Sequence, residues 1–245
     1  MPTLLKDAQI TVAVATRQGT RERNADASAV HRVPRTHITA AALVDGMGNS
    51  AEVVALVSAA AEVAARVGAR RTATIGILAA AELASGPVDA AADPESDDEI
   101  PDGVAAVAIA EPGQPTSIAW TGDVRVYGFD GKVLRQRSTD HTVGQYLRIN
   151  GGVPIELAEA HDNWIRTSLG RSSIATVHAA EIDDRLILLT SDGVHDAIDG
   201  EVLAELVVAY RDDPEALADA LVAEPVADED GYRDDATAIV LQLAT

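Results

Sequence analysis

The sequence predicts an α+β fold with largely antiparallel sheets. Apolar segments of strand length come in runs, and helical segments come in pairs between those runs, unlike the strict alternation of βαβ units. At 245 residues, 47% of them hydrophobic and 24% charged, the chain is long enough to bury one sizeable core, so residues 1–245 are read as a single domain.

In chain order, Gln9 to Ala15 (QITVAVA) alternates Ile10, Val12 and Val14 with polar or small residues, the pattern of a half-buried strand. Thr16 to Asp26 (TRQGTRERNAD) is a polar loop carrying Arg21 and Arg23. Ala27 to Val33 and Thr36 to Val44 form a strand pair around Pro34, the second strand delivering Asp45. Ala51 to Arg70 is Ala-rich, free of Pro and apolar at helical spacing, with Ser50 as its cap. A second helix covers Thr72 to Ala84. Ser85 to Gly103 is a loop with Pro87, Pro94, Pro101 and the acidic run Asp93 to Glu99. That run lacks the ligand and glycine positions of an EF-hand loop and reads as solvated surface.

Val104 to Ala110, Thr116 to Thr121, Val124 to Asp130 and Lys132 to Arg137 are short strands, with Pro112-Gly113 marking a turn and Asp130-Gly131 a hairpin. Ser138 or Asp140 is placed to cap a short helix that stops at Gly151-Gly152. Val153 to Ser173, with Trp164, has weak periodicity and reads as an irregular excursion over the surface. Ile174 to His178 and Arg185 to Thr190 return to strand. Gly200 to Tyr210 and Pro214 to Ala223 are amphipathic helices, and after the acidic loop Glu224 to Asp235 the chain closes with Ala236 to Leu243 as an alternating strand.

Composition excludes several functions. Lys and Arg total 19 against 39 Asp and Glu, a formal charge of -20, which argues against a nucleic-acid partner. No stretch approaches the roughly 18 uncharged apolar residues of a membrane helix. The start MPTLLKDAQI lacks the features of a signal peptide, so an unprocessed cytoplasmic protein is expected. Without cysteine there is no disulfide, no thiolate metal site and no cysteine nucleophile. With only seven aromatic residues, the core must be packed mainly with small aliphatics.

The chemistry is concentrated where carboxylates meet strand ends. Asp45 ends an apolar run and is followed by Gly46 and Gly48, which let backbone approach whatever the carboxylate holds. Asp192 follows RLILLTS, and Asp234 precedes the apolar run AIVLQL. Carboxylates gathered at buried strand ends are costly unless neutralised, and a divalent cation neutralises several at once. Oxygen-only ligands favour Mg²⁺ or Mn²⁺ over Zn²⁺. A lone Asp-Gly is common at turns, so the set is more telling than any one member.

Five blocks occur in order: TRERNAD (Thr20 to Asp26), VDGMG (Val44 to Gly48), TGDVRVY (Thr121 to Tyr127), LTSDGVHD (Leu189 to Asp196) and DDAT (Asp234 to Thr237). Together they resemble the metal-dependent type-2C Ser/Thr protein phosphatases, and STDH (Ser138 to His141) and TSLG (Thr167 to Gly170) are similar to the bacterial members. The resemblance implies a four-layer αββα sandwich and hydrolysis of phosphoserine and phosphothreonine in proteins. It implies two Mn²⁺ or Mg²⁺ ions bridged by Asp45, with the Gly46 carbonyl on one and Asp192 and Asp234 on the other. Asp26 belongs to the same metal-binding set, and Asp123 matches the aspartate of a third, weaker site. Arg21 matches the arginine that binds the substrate phosphate. A phosphorylated protein is the implied substrate, and a Ser/Thr kinase is a candidate partner.

Plainer readings stand beside these: Arg21 as a surface loop residue, Asp123 as the cap of a tight turn, and His141 and His195 as structural. No acid for the leaving group is assigned. Two departures from the family pattern stand out. Ala25 replaces the Glu that precedes the Asp of the first block, and Asn49-Ser50 replace a Gly-His ending of the second. They motivate an alternative, a catalytically weakened module of the same fold that binds a phosphoprotein or kinase. A hydrolase of small phosphorylated metabolites is a third reading, with substrate choice placed in Val153 to Ser173.

Overall fold

The computed structural model describes residues 3–6, 10–85 and 100–244, with side chains from residue 10 onward. The acidic run Asp93 to Glu99 lies outside the described residues, as does part of the N-terminal stretch.

Among the described residues eleven strands form two antiparallel sheets. One has the order β1-β2-β11-β10-β7-β8, the other β3-β4-β5-β6-β9. The first contains β1 (Thr3–Lys6), β2 (Ile10–Arg17), β7 (Arg125–Phe129), β8 (Leu134–Gln136), β10 (Leu186–Thr190) and β11 (Ala236–Leu243). The second contains β3 (Asp26–Arg32), β4 (Thr39–Gly46), β5 (Gly103–Ala110), β6 (Thr116–Thr121) and β9 (His178–Ile182). Helices α1 (Ala51–Gly68) and α2 (Ala73–Ala84) cover the outer face of the five-stranded sheet. The six-stranded sheet is covered by α6 (Gly200–Tyr210) and α7 (Pro214–Ala223). Three apolar layers result, which is the four-layer αββα sandwich. Between the sheets lie Ile10, Val12, Leu43, Ile118, Ile187 and Ile239. Ala42, Val44, Ala105 and Val107 face α1 and α2, while Ala13, Leu188 and Val240 face α6 and α7.

The period of two therefore sorts the central strands into two apolar faces, not into one apolar and one wet face. For this reason β11, whose sequence reads as an alternating strand, is buried along Ala236 to Leu241. Each expected helix forms with a side-chain cap of the right kind: Ser50 for α1, Thr72 for α2, Asp199 for α6 and Asp213 for α7.

Three expectations are corrected in the middle of the chain. The short helix α3 (Val143–Asn150) is capped by Thr142, because Ser138 receives the Val126 amide and Asp140 is held by Arg125. Ile174 to His178 is not a strand. Ser173 and Thr176 bond to each other's backbone and close a local turn, which competes with sheet pairing, and β9 starts only at His178. The excursion after α3 is not wholly irregular either. It contains α4 (Ile155–Glu159) and a 3₁₀ turn, Leu169–Arg171, with Leu169 fully buried while Trp164 stays exposed. Among the described residues no helix is long and apolar enough to cross a membrane.

Candidate active site

At one end of the sandwich both sheets present carboxylates to the crevice between them. In the five-stranded sheet Asp26 opens β3 and stands directly opposite Asp45, near the end of β4. Alternation carries both side chains inward, on the same face as Leu43. Gly46 follows, its amide bonded to the Ala25 carbonyl at 3.0 Å. A Cβ on Gly46 would lie 2.6 Å from Val53 and 2.8 Å from that carbonyl, so glycine is what lets α1 close over this strand end.

From the six-stranded sheet, β10 runs out at Thr190, and Asp192 opens the short helix α5 (Asp192–His195). The next residue admits no side chain, since a Cβ on Gly193 would meet the Asp235 carbonyl oxygen at 2.0 Å. Asp234 sits just before β11. Asp45 and Asp192 act on each other electrostatically across the gap between the sheets.

Neutral hydroxyls and one buried carboxylate lock this geometry. Ser191 donates to Asp26 at 2.7 Å and accepts the Thr237 amide at 2.9 Å. Thr237 and Thr16 share a hydrogen bond at 2.8 Å, and Asn24 donates to Thr16. Asp235, buried, accepts the amides of Gly19 at 2.7 Å and Ala25 at 2.8 Å. It thereby pins the loop that carries Arg21. Ser191, Thr237 and Asp235 were not singled out from the sequence, although Ser191 and Asp235 each adjoin an aspartate that was and Thr237 follows Asp234 by three residues.

Arg21 donates to Asp234 at 3.3 Å and lies over the Tyr232 ring, 5.5 Å from its centroid. It is thus anchored at the crevice mouth and not a stray surface side chain. Asp123 lies in the β6–β7 connection, where it feels Asp192, Asp140 and Asp196. Asp26, Asp45, Gly46, Asp192 and Asp234 all border this crevice, with Asp123 at its margin.

The crevice is electrostatically loaded. Desolvation raises the Asp26 carboxyl to about 8, against hydrogen bonds from Ser191 and Thr237 that favour its ionised form. Desolvation, then the charges of Asp192 and Asp26, hold Asp45 well above the ordinary carboxylate range. Desolvation, then the charges of Asp192 and Asp140, raises Asp123 to about 7, and desolvation, then those of Asp234 and Asp196, raises Asp192 to about 6. Among the described residues none of these four is paired with a Lys or Arg. Hard oxygen donors, crowded and without a positive partner, match the donor set of Mg²⁺ or Mn²⁺. The protein does not supply a closed cage: among the described residues no three His, Cys, Asp or Glu stand close enough to hold one ion by themselves. Any ion here would therefore keep part of its water, as Mg²⁺ usually does.

The histidines do not enter this crevice as free acids. His195 is buried, hydrogen-bonded to Thr190 at 2.8 Å, and burial holds its pKa well below the usual value. His141 packs against His178 at 4.3 Å and accepts the Gly122 amide, with its pKa lowered by burial to about 4. Ala25 is buried in the apolar layer beneath α1.

No protein-family model matches the chain, and no curated protein matches it. Solved structures do. The S. agalactiae serine/threonine phosphatase is 17% identical, with a TM-score of 0.75 over 96% of this chain and all of that one. The PPM Ser-Thr phosphatase MsPP from Mycobacterium smegmatis, solved in complex with cacodylate, is 22% identical. Its TM-score is 0.70 over 97% of this chain and 100% of that one. The catalytic domain of the serine threonine protein phosphatase PstP, in complex with two manganese ions, is 23% identical. Its TM-score is 0.61 over 99% and 100% of the two chains. The chain has the fold of the bacterial type-2C, or PPM, serine/threonine phosphatases.

Proposed function

We propose that this chain, acting as one phosphatase-like domain, hydrolyses phosphoserine and phosphothreonine in proteins with the help of two Mn²⁺ or Mg²⁺ ions. One observation carries the reading. Four desolvated carboxylates, Asp26, Asp45, Asp123 and Asp192, converge from both sheets with no positive partner among the described residues, beside an anchored arginine. Asp45, the Gly46 carbonyl, Asp192 and Asp234 would hold the two ions between them. The three aspartates, too far apart to share one ion as they stand, would have to draw together as it binds. Asp26 would lie alongside, and Asp123 would hold a third, weaker ion. Bound there, the ions would supply positive charge and a water of lowered pKa suited to in-line attack on phosphorus.

The chain's own residues supply the rest. Arg21 spends one donor on Asp234 and retains others for phosphoryl oxygens, a task suited to its planar fork. The Tyr232 ring limits where that fork can swing. Ser191 keeps Asp26 oriented toward the crevice. With no cysteine a covalent thiophosphate route is closed, in keeping with direct attack by water.

Purified protein is expected to hydrolyse a phosphoseryl peptide with Mn²⁺ or Mg²⁺ and to stop in chelator, and Asp192→Ala is expected to abolish turnover. Equal activity with and without chelator would rule the reading out. Ala25 favours a second reading, a weakened module that docks a phosphoprotein or a Ser/Thr kinase. Full metal uptake without hydrolysis, and none gained by Ala25→Glu, would support that second reading.

A further inference from the structure

Asp102 stands at the entry to β5, next to Gly103, which pairs with Gly46 across the sheet. Its backbone and side chain face two different parts of the molecule. The Asp102 carbonyl accepts the Met47 amide at 3.0 Å. Its carboxylate accepts the Ser168 hydroxyl at 2.5 Å and the Gly170 amide at 2.9 Å, along with the Gly103 amide at 2.8 Å. Ser168 and Leu169 are buried, so this 3₁₀ turn is a fixed part of the excursion that follows α3. From the same turn, Ser172 donates to Thr121 at 3.0 Å, two residues before Asp123, and to the Ser168 carbonyl at 2.8 Å.

The Met47 amide and the Gly46 carbonyl belong to one planar trans peptide. An acceptor that holds the N–H therefore sets the direction of the C=O, which is the backbone ligand proposed for one ion. We propose that Asp102 is a positioning residue that couples the Ser168–Ser172 turn to the cation-binding loop at Asp45–Gly46. The inference rests on the two-cation reading of the crevice. A partner that shifts the excursion would tilt the Gly46 carbonyl through Asp102. By reciprocity, an ion on the crevice must steady the turn.

The test is Mn²⁺ affinity by calorimetry, together with hydrogen exchange followed by mass spectrometry in segments 44–49 and 165–173 of the full chain. In the wild type Mn²⁺ is expected to slow exchange in 165–173. In Asp102→Ala that protection is lost and Mn²⁺ affinity falls about tenfold, within the usual range of coupling between sites. Asp102→Asn keeps an acceptor for Gly170 and a polar partner for Ser168, and restores most of both. Ser168→Ala removes one bond and falls between. Asp130→Ala removes a carboxylate from the exposed β7–β8 hairpin and leaves both readouts unchanged. A folded Asp102→Ala that binds Mn²⁺ and protects the turn as the wild type does would overturn the proposal, as would an equal loss in Asp130→Ala. Should Asp102→Ala fail to fold, Ser168→Ala decides, wild-type affinity and protection counting against the coupling. Should the wild type take up no Mn²⁺, the two-cation reading fails. The Asp102 link is then tested alone by exchange in 44–49, which Ser168→Ala speeds if Asp102 couples the two loops and leaves unchanged if it does not.

Discussion

Asp184 and the crevice aspartates are all buried or crowded carboxylates, but the protein treats them in opposite ways. Asp184, on the link from β9 to β10, is less exposed than any of the others, its side chain 2% accessible. Arg137 meets it with two parallel bonds of 2.9 and 2.8 Å, the bidentate geometry that best offsets desolvation. Among the described residues Asp26, Asp45, Asp123 and Asp192 have no such partner. Burial of a carboxylate is therefore not the mark of a site. Burial without a counter-ion is, because the missing charge must come from protons or from a cation.

The sharpest way to break this comparison is to neutralise one acid of each kind. Asp45→Asn is expected to lower turnover on the order of a thousandfold, equivalent to about 4 kcal/mol of barrier, while leaving the metal-free fold as stable as before or more so. Asp184→Asn should do the reverse. It is expected to leave turnover near wild type and cost about 2 kcal/mol of stability by urea unfolding, a buried-pair loss discounted because Arg137 is itself partly exposed. If both variants lose stability and neither loses activity, the two kinds of aspartate are alike and the site assignment is wrong.

A thermal scan with and without Mn²⁺ sharpens the same contrast. An ion bound only to the folded chain stabilises it by mass action, roughly 2.7 kcal/mol at a hundredfold excess over Kd, and Asp45→Asn should remove that gain.

The metal-free protein should also show a distinctive pH response. Carboxyls raised in the folded state bind more protons there than in the unfolded chain. Their contribution is thus fully present below about pH 4, near the unfolded value. It is lost as pH rises through about 6 for Asp192, 7 for Asp123 and 8 for Asp26. In chelator, Tm should fall across this window, and Asp26→Asn should flatten the upper part of the fall. Saturating Mn²⁺ should remove it by holding the carboxylates ionised. A Tm that rises from pH 5 to 8 in chelator would contradict the raised values.

The smallest effect is expected from Arg21→Lys, which keeps the charge but loses the fork. KM for a phosphoseryl peptide should rise several-fold, with kcat changed less, since one N–H donor of Arg21 already serves Asp234 and only the rest of the guanidinium would be left for phosphate.

The strand ends and helices were legible because each carries its own local signal. Helices α6 and α7 start at Gly200 and Pro214 as their sequence patterns place them, behind Asp199 and Asp213 as caps, and Asp45-Gly46 announces a close backbone approach. What was not legible depends on partners far away in the chain. The Ser191–Asp26 bond joins residues 165 positions apart, and nothing near either residue points to the other. Asp102-Gly103 reads as an ordinary turn pair in sequence, and only the fold sets its carboxylate against Ser168. The turn that replaces the expected strand at Ile174 arises from Ser173 and Thr176 bonding locally, a competition that apolar periodicity does not register.

Calorimetric titration of the metal-free chain with Mn²⁺ near pH 7 tests the central claim most directly. The account predicts two ions taken up per chain with release of protons from the crevice carboxyls, and loss of that uptake in Asp45→Asn. Absence of binding, or binding that Asp45→Asn leaves intact, would contradict it.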